Sequence, residues 1–224
     1  MHKVHLPDWA VARGRNMNHF PAIDPARTAL VVIDMQNVFM EPAEVFGNQN
    51  ALDIVGTVNH AVRTLRDAGA TVIWTRQTVS DEPALAMPDW QYDLSIPSVR
   101  RAVETMIAGT WSHAVHDAMD VRGGDIVIDK YRYGAFMCPD GGLKRALDER
   151  PHIDTLVIAG TLTNCCCDST ARDGNMLGYK IVFLSDATAT RTDEEHNAAL
   201  LTVCLNFGDV RATDELAAMV ARGP

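Results

Sequence analysis

One stretch of the sequence decides the fold, residues 155–173, which reads TLVIAGTLTNCCCDSTARD. Its first six residues are apolar or small and predict a buried strand, and the residues after them predict a tight turn and a helix that opens on three cysteines. Backbone N–H groups left free in the first turn of a helix, together with the helix dipole, stabilise a thiolate. The stretch therefore predicts a reactive cysteine with a lowered pKa just after a strand.

Strands and helices are predicted to alternate along the rest of the chain. Near-continuous apolar strands joined by helices are typical of a mostly parallel sheet covered on both faces. We therefore predict an α/β fold, a three-layer α/β/α sandwich with a six-stranded, Rossmann-like sheet. The predicted strands are 29–33, 71–75, 126–130, 155–160, 181–184 and 210–213, and the predicted helices include 52–65, 142–149, 193–205 and 214–221.

The length and composition indicate a single domain. With 224 residues, 47% of them hydrophobic, the chain can bury a sizeable core. We predict one domain over 1–224, with an N-terminal arm over 1–27 and an insertion over about 77–124 that covers the site and carries Trp90 and Trp111.

Charge and hydropathy limit the expected partners to small molecules. A formal charge of -9 without a basic cluster argues against nucleic acid and against an anionic membrane surface. The polar N-terminal residues and the lack of a long apolar run predict a cytoplasmic protein.

The cysteine pattern predicts reduced thiols. There are five cysteines, and three of them are consecutive, a pattern that neither a disulfide framework nor a tetrahedral zinc site uses. We expect the side chains of Cys165 and Cys167, which flank Cys166, to point into helix packing.

Three polar residues are predicted to follow strands at the same edge of the sheet. Asp34 ends the first strand, Lys130 ends the third and Cys166 follows the fourth. Ligands bind beyond the carboxyl ends of strands in such sheets. The three side chains would supply a nucleophile, a carboxylate that accepts its proton and a cation that stabilises both anions. Taken singly, each has an ordinary structural interpretation, as a capping acid, a solvated lysine or a core cysteine.

At these positions the chain resembles the isochorismatase-like cysteine hydrolases, which include nicotinamidases, N-carbamoylsarcosine amidase and ureidoacrylate amidohydrolase. The resemblance spans about 28–213 and is closest to the last two. It rests on the order and spacing of four motifs, VVIDMQN at 31–37, GTW at 109–111, DKYRYGAF at 129–136 and GTLTNCCC at 160–167.

The resemblance implies a catalytic triad of Asp34, Lys130 and Cys166, with Cys166 as the nucleophile. It also implies a cis peptide bond before Leu162 and an oxyanion hole made by the backbone amides of Leu162 and Cys166. Relatives are commonly dimers or tetramers, so a homo-oligomer is expected.

The resemblance further places Phe39, Gln77, Tyr133 and Phe136 in the substrate pocket. Gln77 falls where ureidoacrylate-type relatives carry an amide side chain, which could hold a ureido or carboxamide group. For the three aromatic residues, core packing is the alternative interpretation.

No metal and no other cofactor is expected. His113 and His116 lie three apart, a spacing that could bind a metal on one helical face. Metal-dependent nicotinamidases, however, carry histidines after the first and second strands, and 38–42 and 74–78 contain none. Nicotinamide is therefore not the expected substrate.

The sequence thus predicts a hydrolase that cleaves a non-peptide C–N bond in a small amide, ureido or carbamoyl compound through a thioester. Two alternatives stay open. One is an isochorismatase-type vinyl ether hydrolase, which uses the aspartate and lysine without a cysteine nucleophile. The other is a non-enzymatic thiol redox or small-molecule binding protein.

Overall fold

The computed structural model describes residues 1–88 and 90–222. Within them lies a sheet of six strands in the order β3-β2-β1-β4-β5-β6, and every pairing is parallel. The strands are β1 Thr28–Ile33, β2 Thr71–Gln77, β3 Ile126–Lys130, β4 Thr155–Thr161, β5 Lys180–Ala189 and β6 Asp209–Arg211. The predicted α/β sandwich is confirmed.

Helices cover both faces of the sheet. Short turns of 3-10 or π helix lie at Pro25–Arg27, Ala135–Met137 and Thr163–Cys167. The α-helices are α1 Asp8–Arg15, α2 Asn37–Met40, α3 Gln49–Asp53, α4 Val55–Asp67, α5 Pro97–Thr105, α6 Gly142–Asp148, α7 Asp168–Met176, α8 Asp193–Asn206 and α9 Thr213–Ala221.

The core consists of two apolar layers, one on each face of the sheet. Successive side chains of a strand point to opposite faces, so Leu30 and Val32 of β1 join the layer under α4 and α9, while Val31 and Ile33 join the layer under α6 and α7. Because both faces are covered, β1 and β4 are buried along their whole length. This burial is the reason that the strands are continuous apolar runs.

A glycine lets the central strands approach each other beside the candidate site. Gly160 in β4 has a φ of +114°, and a Cβ there would collide with the backbone of Ile33 in β1. Only glycine adopts this conformation without strain. The carboxyl ends of β1 and β4, which carry Asp34 and the cysteine turn, can therefore lie side by side.

Several helices were not predicted, including the short helix α2. The N-terminal arm contains α1, which packs on α8, and the insertion contains α5, which begins with Pro97 at its first position. Strand β5 also continues to Ala189, beyond the predicted end at 184, because its pairing with β4 resumes after an irregularity between Ile158 and Gly160.

Among the described residues, no helix combines the length and the apolar character needed to cross a membrane.

Candidate active site

Asp34 lies at the carboxyl end of β1 and is completely buried. Its φ of 49° is in the left-handed region, which is uncommon for a residue other than glycine and turns the chain out of the strand. The neighbouring strand holds it there, because its N–H donates to Thr75 O at 3.2 Å and Thr75 Oγ1 donates to Asp34 Oδ1 at 2.7 Å. The carboxylate is thus fixed at the sheet edge.

Lys130, the last residue of β3, brings the predicted groups together. Its Nζ donates to Gln77 Oε1 at 2.6 Å and to Arg132 O at 3.0 Å, and it lies 3.5 Å from Cys166 Sγ. It also lies 2.8 Å from Asp34 Oδ2. The last contact is an ion pair rather than an aligned hydrogen bond, since Oδ2 has no hydrogen-bond partner among the described residues. Oδ2 therefore keeps a lone pair that can accept a proton.

The ion pair keeps Lys130 charged although only 1% of its side chain is exposed. Burial by itself disfavours the cation, but the attraction of the Asp34 carboxylate, with a further contribution from Cys166 when it is ionised, outweighs burial and raises the pKa of Lys130. A buried charge is tolerated only when it is paired. Asp34 and Lys130 thus form one electrostatic unit.

Cys166 belongs to the π turn Thr163–Cys167, which leads into α7. The turn follows a cis peptide bond between Thr161 and Leu162, as the resemblance implied. In the described part of the chain, no group accepts a hydrogen bond from the Leu162 N–H. This amide is therefore available to a ligand.

The structure contradicts the prediction of a lowered pKa for Cys166. A hydrogen bond with Cys165, burial and the nearby Asp34 carboxylate together raise the pKa of Cys166, against the opposing effect of Lys130. Two of the N–H groups expected to be free in the first turn are already used, because those of Cys165 and Cys167 both donate to Leu162 O at 3.1 Å. The resting nucleophile is therefore a thiol, which needs a base.

The two flanking cysteines differ in their surroundings. Cys167 is buried in the core, as predicted, and burial raises its pKa. For Cys165 the prediction holds only in part, because it packs against the same apolar layer but is half-buried and also lines the cavity of Cys166. The π turn explains this difference: the Cys167 N–H reaches back to Leu162 O, so the turn is wider than an α-helical one.

A cavity of about 200 Å³ opens beside these groups. Three of the predicted pocket residues line it, Phe39, Gln77 and Tyr133, together with Leu162 and Cys166. The other residues of its lining are Phe46, Tyr92, Met106, Thr161, Cys165 and Arg191.

The structure does not bring Phe136 to this cavity. Its ring is buried in the apolar layer under α6 and α7 and stacks on Tyr179, with the ring centroids 5.8 Å apart. Gln77 does reach the cavity, but its side-chain oxygen accepts a hydrogen bond from Lys130. Gln77 thus orients the lysine as well as facing the ligand space.

Sequence reasoning missed six residues of the lining, which are Phe46, Tyr92, Met106, Thr161, Cys165 and Arg191. Phe46 stacks on Phe39, with the ring centroids 6.2 Å apart. Tyr92 and Met106 come from the insertion, which therefore contributes to the cavity, although Trp90 and Trp111 are 84% and 60% exposed and do not line it.

The loop that carries Arg191 is held by the N-terminal arm. The Thr190 N–H donates to His2 Nε2 at 3.0 Å, and Thr190 O accepts from Asn48 Nδ2 at 2.7 Å. Thr190 Oγ1 in turn donates to Asn164 Oδ1, in the cysteine turn, at 2.6 Å. These bonds fix the backbone on which Arg191 faces the cavity.

The histidines considered as metal ligands bind other groups. His113 Nε2 lies 2.8 Å from Thr78 Oγ1, and His116 Nε2 lies 3.0 Å from Glu41 Oε1. Within the described residues, no cluster of three or more histidine, cysteine or acidic side chains could hold a metal ion.

Comparison with known proteins identifies the family. The Isochorismatase domain matches residues 28–215, so the chain belongs to the isochorismatase family. Ureidoacrylate amidohydrolase RutB of Methylobacterium radiotolerans is 33% identical over 223 residues, which cover 91% of this chain and 84% of the relative. The enzyme of the same name from Pseudomonas syringae pv. syringae is 31% identical, and the alignment covers 95% of this chain and 91% of that enzyme.

Solved structures agree with this assignment. A cysteine hydrolase from Pseudomonas syringae pv. phaseolicola superposes with a TM-score of 0.80 at 29% identity, over 92% of this chain and 97% of the other. N-carbamoylsarcosine amidase from Thermoplasma acidophilum shares the fold, with a TM-score of 0.66 at 24% identity over 84% of this chain and 97% of the other.

Proposed function

We propose that this isochorismatase-family hydrolase uses Cys166 to hydrolyse a non-peptide C–N bond in a small amide, ureido or carbamoyl compound, through a thioester. The observation that carries the proposal is the position of Lys130 Nζ, which lies 2.8 Å from the Asp34 carboxylate and 3.5 Å from the thiol of Cys166, the member of the three that lines the cavity. The names of the relatives, ureidoacrylate amidohydrolase and N-carbamoylsarcosine amidase, support the same chemistry.

The first step forms a bond between sulfur and carbon. The raised pKa of Cys166 means that its proton must leave as the sulfur attacks, and Asp34 Oδ2 has the free lone pair to accept it. As the S–C bond forms, the carbonyl π electrons move to the oxygen. Lys130 remains protonated and balances the negative charge that moves within the site.

The second step expels the nitrogen. The Leu162 amide, which lacks an acceptor in the described chain, and the Cys166 amide are assigned to the oxyanion. When the oxyanion reforms its C=O bond, the C–N bond breaks, and the proton on Asp34 goes to the departing amine or ammonia. Cys166 is left as a thioester, or as a thiocarbamate if the substrate is a ureido compound.

Water completes the cycle. Asp34 accepts a proton from a water molecule whose oxygen attacks the thioester carbon, and the S–C bond breaks when the second oxyanion collapses. The acid product leaves, and the proton on Asp34 returns to the Cys166 sulfur. The net reaction adds one water across the C–N bond, and Asp34, Lys130 and Cys166 end as they began.

Cavity size and charge favour a small substrate with an acid group. A volume of about 200 Å³ lies below the roughly 300–1,000 Å³ of ordinary ligand pockets, so a peptide does not fit. Arg191 belongs to the lining of this space, and it is an exposed residue. A guanidinium binds a carboxylate through paired hydrogen bonds. We assign the carboxylate of a ureido or carbamoyl acid to Arg191.

A panel of small amides and ureido acids, assayed for released ammonia, tests the proposal. Cys166→Ala should abolish release, whereas Cys138→Ala, which alters a buried cysteine outside the cavity, should retain it. Two outcomes would contradict the proposal and favour one of the alternative functions. Turnover of a vinyl ether that survives in Cys166→Ala would indicate isochorismatase chemistry, and reversible thiol oxidation without turnover would indicate a redox protein.

A further inference from the structure

We propose that an apolar groove beside the catalytic cavity binds an aliphatic substituent of the substrate, and that Tyr92 forms the gate between the two spaces. The inference rests on the proposed function and narrows its substrate class to ureido or carbamoyl acids with an apolar side chain. The groove, called the side groove below, has a volume of about 600 Å³, against about 200 Å³ for the catalytic cavity.

The side groove is lined mainly by apolar side chains of the insertion. Its lining includes Val79, Met87, Leu94, Val103 and Ile107. Leu94 and Ile107 are almost half exposed, at 46% and 49%, so apolar surface here faces solvent. Burying such surface against an apolar group is favourable. An aliphatic substituent of the substrate would bury this apolar surface.

The wall between the two spaces is made of paired backbone. The Val79 N–H donates to Met106 O at 3.0 Å, and Val79 forms an isolated parallel bridge with Ile107. Along this wall, neighbouring residues face opposite sides, since Gln77 and Met106 line the catalytic cavity while Thr78 and Ile107 line the side groove. The two spaces therefore share one thin wall.

Tyr92 belongs to the lining of both spaces, so it lies at the position where the two spaces meet. It is a loop residue outside the helices and strands, and its half-buried side chain lies near Tyr133. Burial also raises its pKa, so the hydroxyl stays neutral. Moving this side chain breaks no backbone pairing, whereas moving the Val79 segment of the wall would break it. A movement of the Tyr92 side chain is therefore the change that would connect the two spaces most easily.

Charge determines which end of a substrate enters the side groove. Asp81 and Glu104 lie in its lining, and none of its described lining residues is a lysine or an arginine, so a carboxylate is disfavoured there. The catalytic cavity is lined by the positively charged Arg191, which attracts a carboxylate. A ureido acid would therefore place its carboxylate at Arg191, its carbonyl carbon at Cys166 and its aliphatic side chain past Tyr92.

A series of three probes tests the inference, N-carbamoylglycine, N-carbamoyl-2-aminobutyrate and N-carbamoylnorleucine. If the side chain enters the side groove, kcat/KM should rise by about fourfold for each methylene added. Ile107→Trp should fill the groove and remove this rise while leaving the rate on N-carbamoylglycine unchanged. Ile96→Trp is the matched control, because Ile96 is 45% exposed in the same segment and does not line the groove.

Tyr92→Ala supplies a second readout. Opening the gate should increase the ratio of kcat/KM for N-carbamoylnorleucine to that for N-carbamoylglycine, even if both values fall because Tyr92 also lines the catalytic cavity. A flat series in the wild type, or equal behaviour of Ile107→Trp and Ile96→Trp, would overturn the inference.

Binding separates this inference from the proposed function. In Cys166→Ala protein, calorimetry should show tighter binding of N-carbamoylnorleucine than of N-carbamoylglycine, and Ile107→Trp should abolish the difference. If none of the probes is hydrolysed but this difference is observed, the proposed function fails and the side groove stands. If hydrolysis occurs without any dependence on chain length, the side groove is rejected and the proposed function stands.

Discussion

Replacing both members of the buried ion pair provides a strong test of the Asp34–Lys130 unit. Asp34 Oδ2 and Lys130 Nζ lie 2.8 Å apart, and each side chain is 1% exposed. Asp34→Asn leaves a buried cation without its counterion, and Lys130→Met leaves a buried carboxylate. Each single variant should lose about 3–5 kcal/mol in free energy of unfolding, the usual effect of breaking a buried pair.

The double variant Asp34→Asn/Lys130→Met should be nearly as stable as the wild type, because no unpaired charge remains. With about 2–4 °C per kcal/mol for a chain of this length, each single variant should melt about 6–20 °C lower, while the double variant recovers most of that loss. Thermal unfolding followed by circular dichroism measures the shifts.

In these three variants, the loss of activity should not follow the loss of stability. If Asp34 moves protons and Lys130 balances charge, each variant, the double one included, should lose about 10²–10⁴ in kcat/KM, and the losses should not add. The reasoning would be refuted by destabilisation of the double variant equal to the sum of the singles, or by an active Asp34→Asn protein.

Further predictions concern single residues. Iodoacetamide followed by peptide mass spectrometry should label Cys166 faster than the core residue Cys167; the reverse order would exclude Cys166 as the nucleophile. Arg191→Ala should raise KM at least tenfold for ureido acids but not for neutral amides, and equal effects on both would remove the carboxylate assignment. Burial first, and then His2, lower the pKa of His196 to about 4, so the unfolded chain binds the proton first. Stability should therefore fall as pH drops from about 6.5 to 4, by roughly 1.4 kcal/mol per unit, and a His196→Asn variant should show a flatter curve in urea titrations at each pH. EDTA should leave the rate unchanged, and a loss of activity that zinc restores would contradict the metal-free mechanism.

The sheet and the convergence of three site residues were predictable for a physical reason. Strands buried on both faces must be continuous apolar runs, so β1 and β4 are visible in the sequence. The edge strand β3 is less buried, but it also begins with an apolar run, and the residues that follow these three runs lie at the same edge of the sheet. Asp34, Lys130 and Cys166 were found in this way. The position of Phe136 was not, because an aromatic residue that packs in the core has the same local pattern as one that lines a cavity.

The other misses depend on contacts that local sequence does not encode. Tyr92 and Arg191 reach the cavity from loops, which lack periodicity. The pKa of Cys166 depends on its hydrogen bond with Cys165 and on a turn in which Leu162 O accepts from two amides. The predicted homo-oligomer stays a prediction, which light scattering in solution can test.

The most direct test of the central claim is the intact mass of the protein during turnover. Acid quenching within milliseconds of mixing with a ureido or amide substrate should trap an adduct whose mass equals that of the acyl or carbamoyl group. Proteolysis and sequencing of the adduct should place it on Cys166, and Cys166→Ala should give neither adduct nor ammonia. Ammonia release by Cys166→Ala at the wild-type rate, with no adduct on any cysteine, would contradict the account.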